Sequence, residues 1–289
     1  MLHEVLSMLN LKKRMIVLDA TLGLAGHAQA ILEKIIPGGK LIAMDKDEES
    51  LSLARKNLKS FPKTCLFVHD DFRNLDKGLD GCRINGIDAA LFDLGISSYQ
   101  LDSPGRGFSI KAEGPLDMRM DQRSFVSAYD LINNLTEDEI SSILWRFGEE
   151  RFSRRIARTF VKAREKGLLS STSQVAELVM KVLPYKARFQ RIHPATRTFQ
   201  ALRIAVNREL DALDEGLKKA ALYLNKKGRI VVISFHSLED RIVKENFRQL
   251  VKTGCFKLIV KKVLRPTFDE MRDNPRSRSA KMRVIERVK

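Results

Sequence analysis

The chain has 289 residues, and its 52 lysines and arginines against 36 aspartates and glutamates leave a formal net charge of +16. That length suits one large domain or a domain carrying an insertion, and the charge points to an anionic partner such as nucleic acid or a membrane surface. Cys65, Cys82 and Cys255 show no paired spacing, so neither a disulfide framework nor a zinc site is indicated; with no signal peptide and no run of membrane-spanning length, a reducing, cytoplasmic setting is expected.

The charge is unevenly distributed. Residues 1–100 hold 13 basic and 13 acidic side chains, residues 104–199 hold 17 against 11, and residues 241–289 hold 15 against 5. The excess therefore lies in the middle and tail, as expected if those parts meet a polyanion, with a merely solvated surface about equally able to account for it.

Leu2, Val5, Leu6 and Leu9 have the spacing of an amphipathic helix. An apolar run from Ile16 to Leu18 ends in Asp19; small residues follow, then Ala28, Ile31, Leu32 and Ile35, which predicts strand, tight turn and helix. In open α/β sheets the crevice beyond such a strand binds nucleotide-like ligands. A dinucleotide site would carry Gly-x-Gly-x-x-Gly, whereas this turn has Gly23, Ala25 and Ala28. The two methyl groups argue against a pyrophosphate on the helix N-terminus and for a nucleoside without phosphates, such as S-adenosylmethionine.

A turn at Pro37-Gly38-Gly39 leads to a second strand ending in Asp45, about twenty residues beyond the glycine turn, where a carboxylate can accept hydrogen bonds from a ribose. The alternative for Asp45 is a helix N-cap, a task Asp47 serves as well. Cys65 to Val68 predicts the third strand, closed by His69-Asp70-Asp71-Phe72; Phe72 offers a flat wall for an adenine, against the default of a core phenylalanine. A fourth strand ends in Asp93. Strands and helices alternating at this length imply a parallel sheet with right-handed crossovers.

Residues 104–116, rich in glycine and proline, predict a long ordered loop leading to Leu116-Asp117-Met118-Arg119-Met120-Asp121. Helices follow, two of them opened by capping boxes at Thr136/Glu139 and Ser171/Gln174. Phe152, Ile156 and Phe160 give one helix a buried face, while Arg154, Arg155, Arg158 and Lys162 cluster on another, which grips phosphates or is simply wet. A long helix from Thr198 to Leu224 regains the sheet; then come a strand from Arg229 to Ser234, a helix from Leu238 to about Val251, and strand-like runs at 256–264 and 282–288 around an arginine-rich loop.

Six segments now stand in order along the chain: Asp19-Ala-Thr-Leu-Gly-Leu-Ala-Gly-His27, Asp93-Leu-Gly-Ile-Ser-Ser98, Gly114-Pro-Leu-Asp-Met-Arg-Met-Asp121, His193-Pro-Ala-Thr-Arg-Thr-Phe-Gln200, Ser234-Phe-His-Ser-Leu-Glu-Asp-Arg241 and Asn274-Pro-Arg-Ser-Arg-Ser-Ala-Lys281. Together they resemble the RsmH (MraW) family, whose members use S-adenosylmethionine to methylate N4 of a cytosine in the decoding region of small-subunit (16S-type) ribosomal RNA. The resemblance implies a class I (Rossmann-like) methyltransferase sheet with an inserted small helical domain. It divides the chain into a first methyltransferase part at 1–103, a helical substrate-recognition insertion at 104–197 and a second methyltransferase part at 198–289. By the same resemblance the cofactor contacts fall on Ala25, Gly26, His27, Asp45, Phe72, Asp93 and Gln100, and the partner is ribosomal RNA, within the small subunit. Ala25 stands where the family usually has glycine and is expected to modulate affinity. The chain also begins inside the family's usual N-terminal motif.

The exocyclic amine of cytosine is a poor nucleophile, so an acceptor aimed at its hydrogens and a base for its proton are needed. Asp93 is the first candidate and Asp117 the second, the alternative for Asp117 being a carboxylate that ties the loop to Arg119 or Arg123. His236 is a candidate base, against a histidine that fixes the turn from Ser234 to Glu239. Ser97 and Ser98 orient the base or cap a turn. Arg197, Arg276 and Arg278 are candidate phosphate contacts, and the cytosine must leave its stack to react. No metal is expected. The competing readings are a non-catalytic RNA-binding assembly factor on the same fold and a nicotinamide oxidoreductase, the latter disfavoured by the missing glycines.

Overall fold

A computed structural model of the chain describes residues 1–188 and 192–289. By packing, the chain divides into two compact units, one made of Met1–Gly95 with Leu210–Lys289, the other of Ile96–Glu209.

The first unit is built on a seven-stranded sheet in the order β3-β2-β1-β4-β5-β7-β6. Its strands are β1 (Ile16–Asp19), β2 (Lys40–Asp45), β3 (Cys65–His69), β4 (Ile87–Asp93), β5 (Leu224–Ser234), β6 (Phe256–Leu258) and β7 (Lys281–Arg287). Strands β1 to β5 run parallel, and β7 lies antiparallel between β5 and β6. This is the expected class I (Rossmann-like) sheet. Side chains alternate across it: Val17, Leu41, Leu91 and Val231 pack with α1 (Leu2–Leu9), α2 (Gly26–Ile35) and α3 (Glu48–Asn57). Leu18, Ile42, Phe92 and Val232 face the other way, onto α4 (Leu75–Gly81) and helices nearer the C-terminus. Burial of both faces is why these strands read as continuous apolar runs.

The second unit is helical: α5 (Ser98–Asp102), α6 (Ala128–Asn134), α7 (Glu137–Gly148), α8 (Ser153–Arg164), α9 (Thr172–Val182), α10 (Tyr185–Arg188) and α11 (Thr196–Asn207). Both predicted capping boxes form, at Thr136/Glu139 and Ser171/Gln174, and two more open α5 and α6. Its core gathers Leu116, Met118 and Met120 from the loop with Ile140, Leu144, Ile156, Phe160, Val175 and Leu202. The loop is ordered by side chains that replace a ladder: Arg106 donates to the carbonyls of Arg119 and Met120 at 3.1 and 2.9 Å, while Asn207 bridges Met118 O and Met120 N–H, each at 2.8 Å. This unit is wider at both ends than the stretch 104–197, because Ile96 and Leu101 join its core and α11 packs with it.

The single helix expected over 198–224 is in fact two, α11 and α12 (Glu209–Tyr223), separated by Arg208 at φ 49° and ψ 42°. Neither glycine nor proline marks the break. It is held from outside, by the Asn207 bridge and by Arg203, whose Nε and Nη2 donate to the Glu209 carboxylate at 2.9 and 3.0 Å. The remaining helices are α13 (Ser237–Lys252) and α14 (Phe268–Asp273), followed by a 3-10 turn at Pro275–Ser279. The run expected at 256–264 is a strand only in β6, with Leu264 adding a single bridge to Met282, and β5 begins earlier than expected, at Leu224. Among the described residues, no helix is long and apolar enough to cross a membrane.

Candidate active site

The carboxyl ends of the neighbouring strands β2, β1 and β4 each deliver an aspartate: Asp45, Asp19 and Asp93. Each has a different local task. Asp45 closes the glycine turn, its Oδ2 accepting from Gly23 N–H at 2.8 Å and its Oδ1 from Asp47 N–H at 3.0 Å. The helix cap goes to Asp47, which accepts from Glu49 N–H, leaving Asp45 with lone pairs for a ligand. Asp19, only 1% exposed, accepts from Thr21 N–H at 3.2 Å. Thr21 in turn accepts from Asp93 N–H at 2.7 Å through its hydroxyl, tying the turn to the end of β4. Asp93 Oδ2 stands 3.5 Å from His27 Nδ1. Its Oδ1 is buried and has no hydrogen-bond partner among the described residues.

Burial disfavours the charged form of these groups. It raises Asp93 to about 7, helped by Glu239 and opposed by the Met1 ammonium. Asp19 is likewise raised to about 7 by burial, with Asp93 and Asp45 adding repulsion against the Thr21 hydrogen bond. Asp45 is raised for the same first reason. His27 is lowered to about 4 by burial and by the Met1 ammonium, so it is neutral at physiological pH. The sign for stability follows from linkage: a folded pKa above the unfolded 3.8 means the native state holds protons that the unfolded chain has released. Asp19 and Asp93 therefore each lower stability as pH rises from about 4 to about 7, His27 opposes them between about 4 and 6.5, and with two groups against one a net fall is expected in urea unfolding across that range. Asp19→Asn should flatten the decline; an unchanged slope would contradict the assignment.

The turn itself is conformationally specific. Gly23 (φ 51°) and Ala25 (φ 71°, ψ 22°) both adopt left-handed backbone. The Ala25 methyl is 2% exposed and belongs to the core under α2, so it points inward and not into the crevice, while a side chain at Gly26 would meet nothing within 4 Å. Ala25→Gly relieves roughly 1–2 kcal/mol of strain but loses about 0.8 kcal/mol of methyl burial and about 0.4–1 kcal/mol through unfolded-state entropy. The terms nearly cancel, and a thermal midpoint within a few degrees of wild type is expected; Ala25→Val, branched at a left-handed position, should fall well below it.

Phe72 opens the 3-10 turn Phe72–Asn74 after β3, its ring edge-on to Phe92 with centroids 5.6 Å apart, and closely approached by Gly216 of α12. It is half-buried. His236 is the N-cap of α13: its Nδ1 accepts from Glu239 N–H at 3.4 Å and its Nε2 lies 3.1 Å from Glu239 Oε1. Glu239 Oε2 in turn accepts from the N–H groups of Phe235 and His236 at 2.8 and 3.4 Å. Ala25, Gly26, His27, Asp45, Phe72, Asp93 and His236 thus all belong to the first unit.

Gln100, Asp117 and Arg197 belong to the second. Gln100 is buried in the capping box of α5, its Oε1 accepting from Ser97 N–H at 3.0 Å. Asp117 takes Arg119 in a two-pronged pair at 2.6 and 3.0 Å; burial pushes its pKa up, but the Arg119 hydrogen bonds and charge outweigh this and hold it below the usual carboxylate range. Arg197 donates to Glu149 O at 3.1 Å. Arg276 and Arg278 are exposed on the 3-10 turn after α14. Asp19, Thr21 and Glu239 complete the constellation although the sequence reading gave them no role. The signal for Asp19 was present, since it ends the strand before the turn just as Asp45 and Asp93 end theirs.

The sequence matches the MraW methylase family over residues 1–288. The chain belongs to the MraW methylase family. Two relatives of the same description, "Ribosomal RNA small subunit methyltransferase H", illustrate the match. The one from Brevibacillus brevis is 44% identical over 304 residues, covering 100% of this chain and 96% of the relative. The one from Clostridioides difficile is 40% identical over 303 residues, covering 100% and 97%. Among solved structures, a putative rRNA-methylase from Clostridium thermocellum aligns with a TM-score of 0.48 at 13% identity, covering 99% of this chain and 93% of that one. Methylases of this family use S-adenosylmethionine, and the strand-end residues suit it: carboxylate acceptors at Asp45 for ribose hydroxyls, acidic groups for a cationic sulfonium, and an open backbone at Gly26.

Proposed function

We propose that the protein methylates N4 of a cytosine in the decoding region of small-subunit ribosomal RNA, in the cytoplasm. The family assignment and the relatives' description support the RNA substrate. The observation that carries the chemistry is Asp93: a carboxylate at a strand end, raised to about 7, with a buried oxygen lacking a hydrogen-bond partner among the described residues. An unsatisfied acceptor in a buried site is costly, and such groups mark places where a ligand completes the bonding.

S-adenosylmethionine supplies an electrophilic methyl group. On accepting the methyl group the target nitrogen would have to release one proton. Asp93 accepts a hydrogen bond from the amine, returns electron density to a nitrogen conjugated with the ring, and takes that proton. Neutral His27 lies 3.5 Å from the Asp93 carboxylate and so leaves it without an ion pair. Asp45 and the Ala25–Gly26 backbone hold the nucleoside, with Phe72 as its apolar wall. Gln100 is assigned to the cofactor rim, Arg276 and Arg278 to phosphates. Asp117 and His236 serve as positioning residues, the first holding the loop through Arg119 and the second holding the end of β5 through Glu239.

The test is incubation of purified protein with methyl-labelled cofactor and small ribosomal subunits, followed by nucleoside mass spectrometry. N4-methylcytidine is the expected product. A protein that binds cofactor yet leaves no methylated cytidine would refute the reading and favour a non-catalytic assembly factor.

A further inference from the structure

The tip of the α7–α8 hairpin breaks the rules that the rest of its unit obeys. Its register is fixed by two contacts: Arg158 Nε donates to Glu137 Oε1 at 3.1 Å, and the hydroxyls of Ser141 and Ser153 meet in the buried seam at 3.2 Å. Glu137, Ser141 and Trp145 succeed one another at single-turn spacing along α7. Trp145 therefore stands at the end of the seam where the chain turns into the first turn of α8, and Glu150 N–H donates to Leu144 O at 3.2 Å within that turn. Here Arg151, Arg154 and Arg155 are exposed, and their guanidinium groups have no ionic or hydrogen-bonding partner among the described residues. Arg197 reaches the same tip through its bond to Glu149 O. Of the acids nearby, Glu150 is buried and accepts from Phe152 N–H at 2.9 Å, and Glu149 is exposed.

These arginines work against the helix they open. The first turn of a helix carries partial positive charge from its unpaired N–H groups, which favours acids and disfavours cations. The neighbouring α7 follows this with Glu137, Asp138 and Glu139 in its first turn, whereas α8 has no acid there and two arginines instead. Arg154 and Arg158 are also like charges one turn apart. A surface helix selected only for solubility gains from acids at these positions. Residues that violate local stability rules mark positions used for something else.

Trp145, the chain's one tryptophan, is 60% exposed beside them. Guanidinium forks that match phosphate oxygens, next to a flat ring open to solvent, are the elements by which proteins hold single-stranded nucleic acid: phosphates on the cations, an unstacked base on the ring. We propose that the α7–α8 tip binds a single-stranded segment of the RNA substrate, with Arg151, Arg154, Arg155 and Arg197 on its phosphates and Trp145 stacked on a base. This rests on the reading of the protein as an RNA methyltransferase and adds the surface that holds the RNA outside the reacting nucleotide.

The single tryptophan makes the surface its own reporter. Titration of the full chain with a short single-stranded oligoribonucleotide of mixed sequence is expected to quench its emission, with log affinity falling against log salt by about 0.7 for each phosphate held. The double variant Arg154→Gln, Arg155→Gln should bind about tenfold more weakly at physiological salt, with the slope shallower by about 1.4. Its thermal midpoint should equal or exceed that of wild type, because repulsion at the helix start is relieved; a merely structural role would lower the midpoint and leave the slope alone. Trp145→Leu, followed by filter binding, should lose roughly 5- to 150-fold in affinity with the slope retained. Unchanged emission on adding RNA, or a double variant with wild-type affinity and slope, overturns the inference. So does quenching by phosphatidylserine vesicles in place of RNA, which would assign the tip to a membrane surface. Methyl transfer to small subunits by the same preparation separates the two readings. Transfer without any RNA effect on Trp145 refutes only the tip, whereas an RNA response without transfer refutes only the activity.

Discussion

Asp93→Asn is expected to lower the rate of methyl transfer roughly 10²- to 10⁴-fold, the range over which a positioned acid–base group contributes. Asparagine keeps the shape and an acceptor oxygen, so the target amine still finds a hydrogen bond, but the amide takes no proton. The loss should therefore appear in the single-turnover rate more than in the apparent affinity for RNA. The pH profile supplies the sharper signature. With Asp93 raised to about 7 by burial, kcat/KM of the free enzyme should climb with unit slope on the acid side and level off above about 7, and the variant should lack that limb. Unlike most core changes, this one should not lower the thermal midpoint at neutral pH, since it removes a carboxylate whose ionisation the fold resists. A variant within a few-fold of wild type, or one retaining the same acid limb, would move the proton acceptor elsewhere.

The second large effect is expected at Gly107, in the loop that leads to Asp117. Its φ of +71° is left-handed, and a Cβ there would collide with the carbonyl oxygen of Pro115 and press on Asp117 N. Alanine thus meets about 1–2 kcal/mol of backbone strain and about 1–3 kcal/mol for displacing a packed loop. A fall of roughly 5–15 °C in the midpoint is expected at the usual conversion for chains of this size. Gly105, two residues away, has open space around its Cβ and is the control: Gly105→Ala should be close to neutral. Because Arg106 lies between them and holds the carbonyls of Arg119 and Met120, Gly107→Ala should also loosen the segment around Asp117, visible as faster amide exchange there. Equal midpoints for the two variants would show that the loop yields without cost.

The strand-end acids were legible because the pattern that makes a strand also announces its end. Apolar runs buried on both faces stop at Asp19, Asp45 and Asp93, and adjacent parallel strands bring these ends together. Capping boxes were legible for a similar reason, since both partners lie within one turn. What escaped was non-local. Arg208 breaks a helix although Asn207-Arg208-Glu209 reads as helical, because Asn207 is bound to Met118 and Met120 across the loop. The family resemblance sets the insertion at 104–197, but the packed unit spans Ile96–Glu209, as Ile96 and the residues of α11 read like any apolar segment until their partners are known. The pairing of Asp117 with Arg119 was open in the sequence as one of two choices; the geometry supports the tie, while a role in the reaction remains with the proposal.

β4 and β5 lie side by side, yet the whole of Ile96–Glu209 is threaded between them. Loop-closure entropy grows only with the logarithm of length, about 0.6 kcal/mol per doubling, so a connection many times longer than an ordinary crossover burdens the sheet by about 2 kcal/mol. A connecting segment that packs around its own core reduces even this, because its ends no longer wander as a free chain. Evolution can therefore rework the surface of the inserted helices, arginine by arginine, at little thermodynamic risk to the strands that carry the acids. Exchange of this segment between relatives would leave the strand-end acids Asp19, Asp45 and Asp93 of the first unit in place.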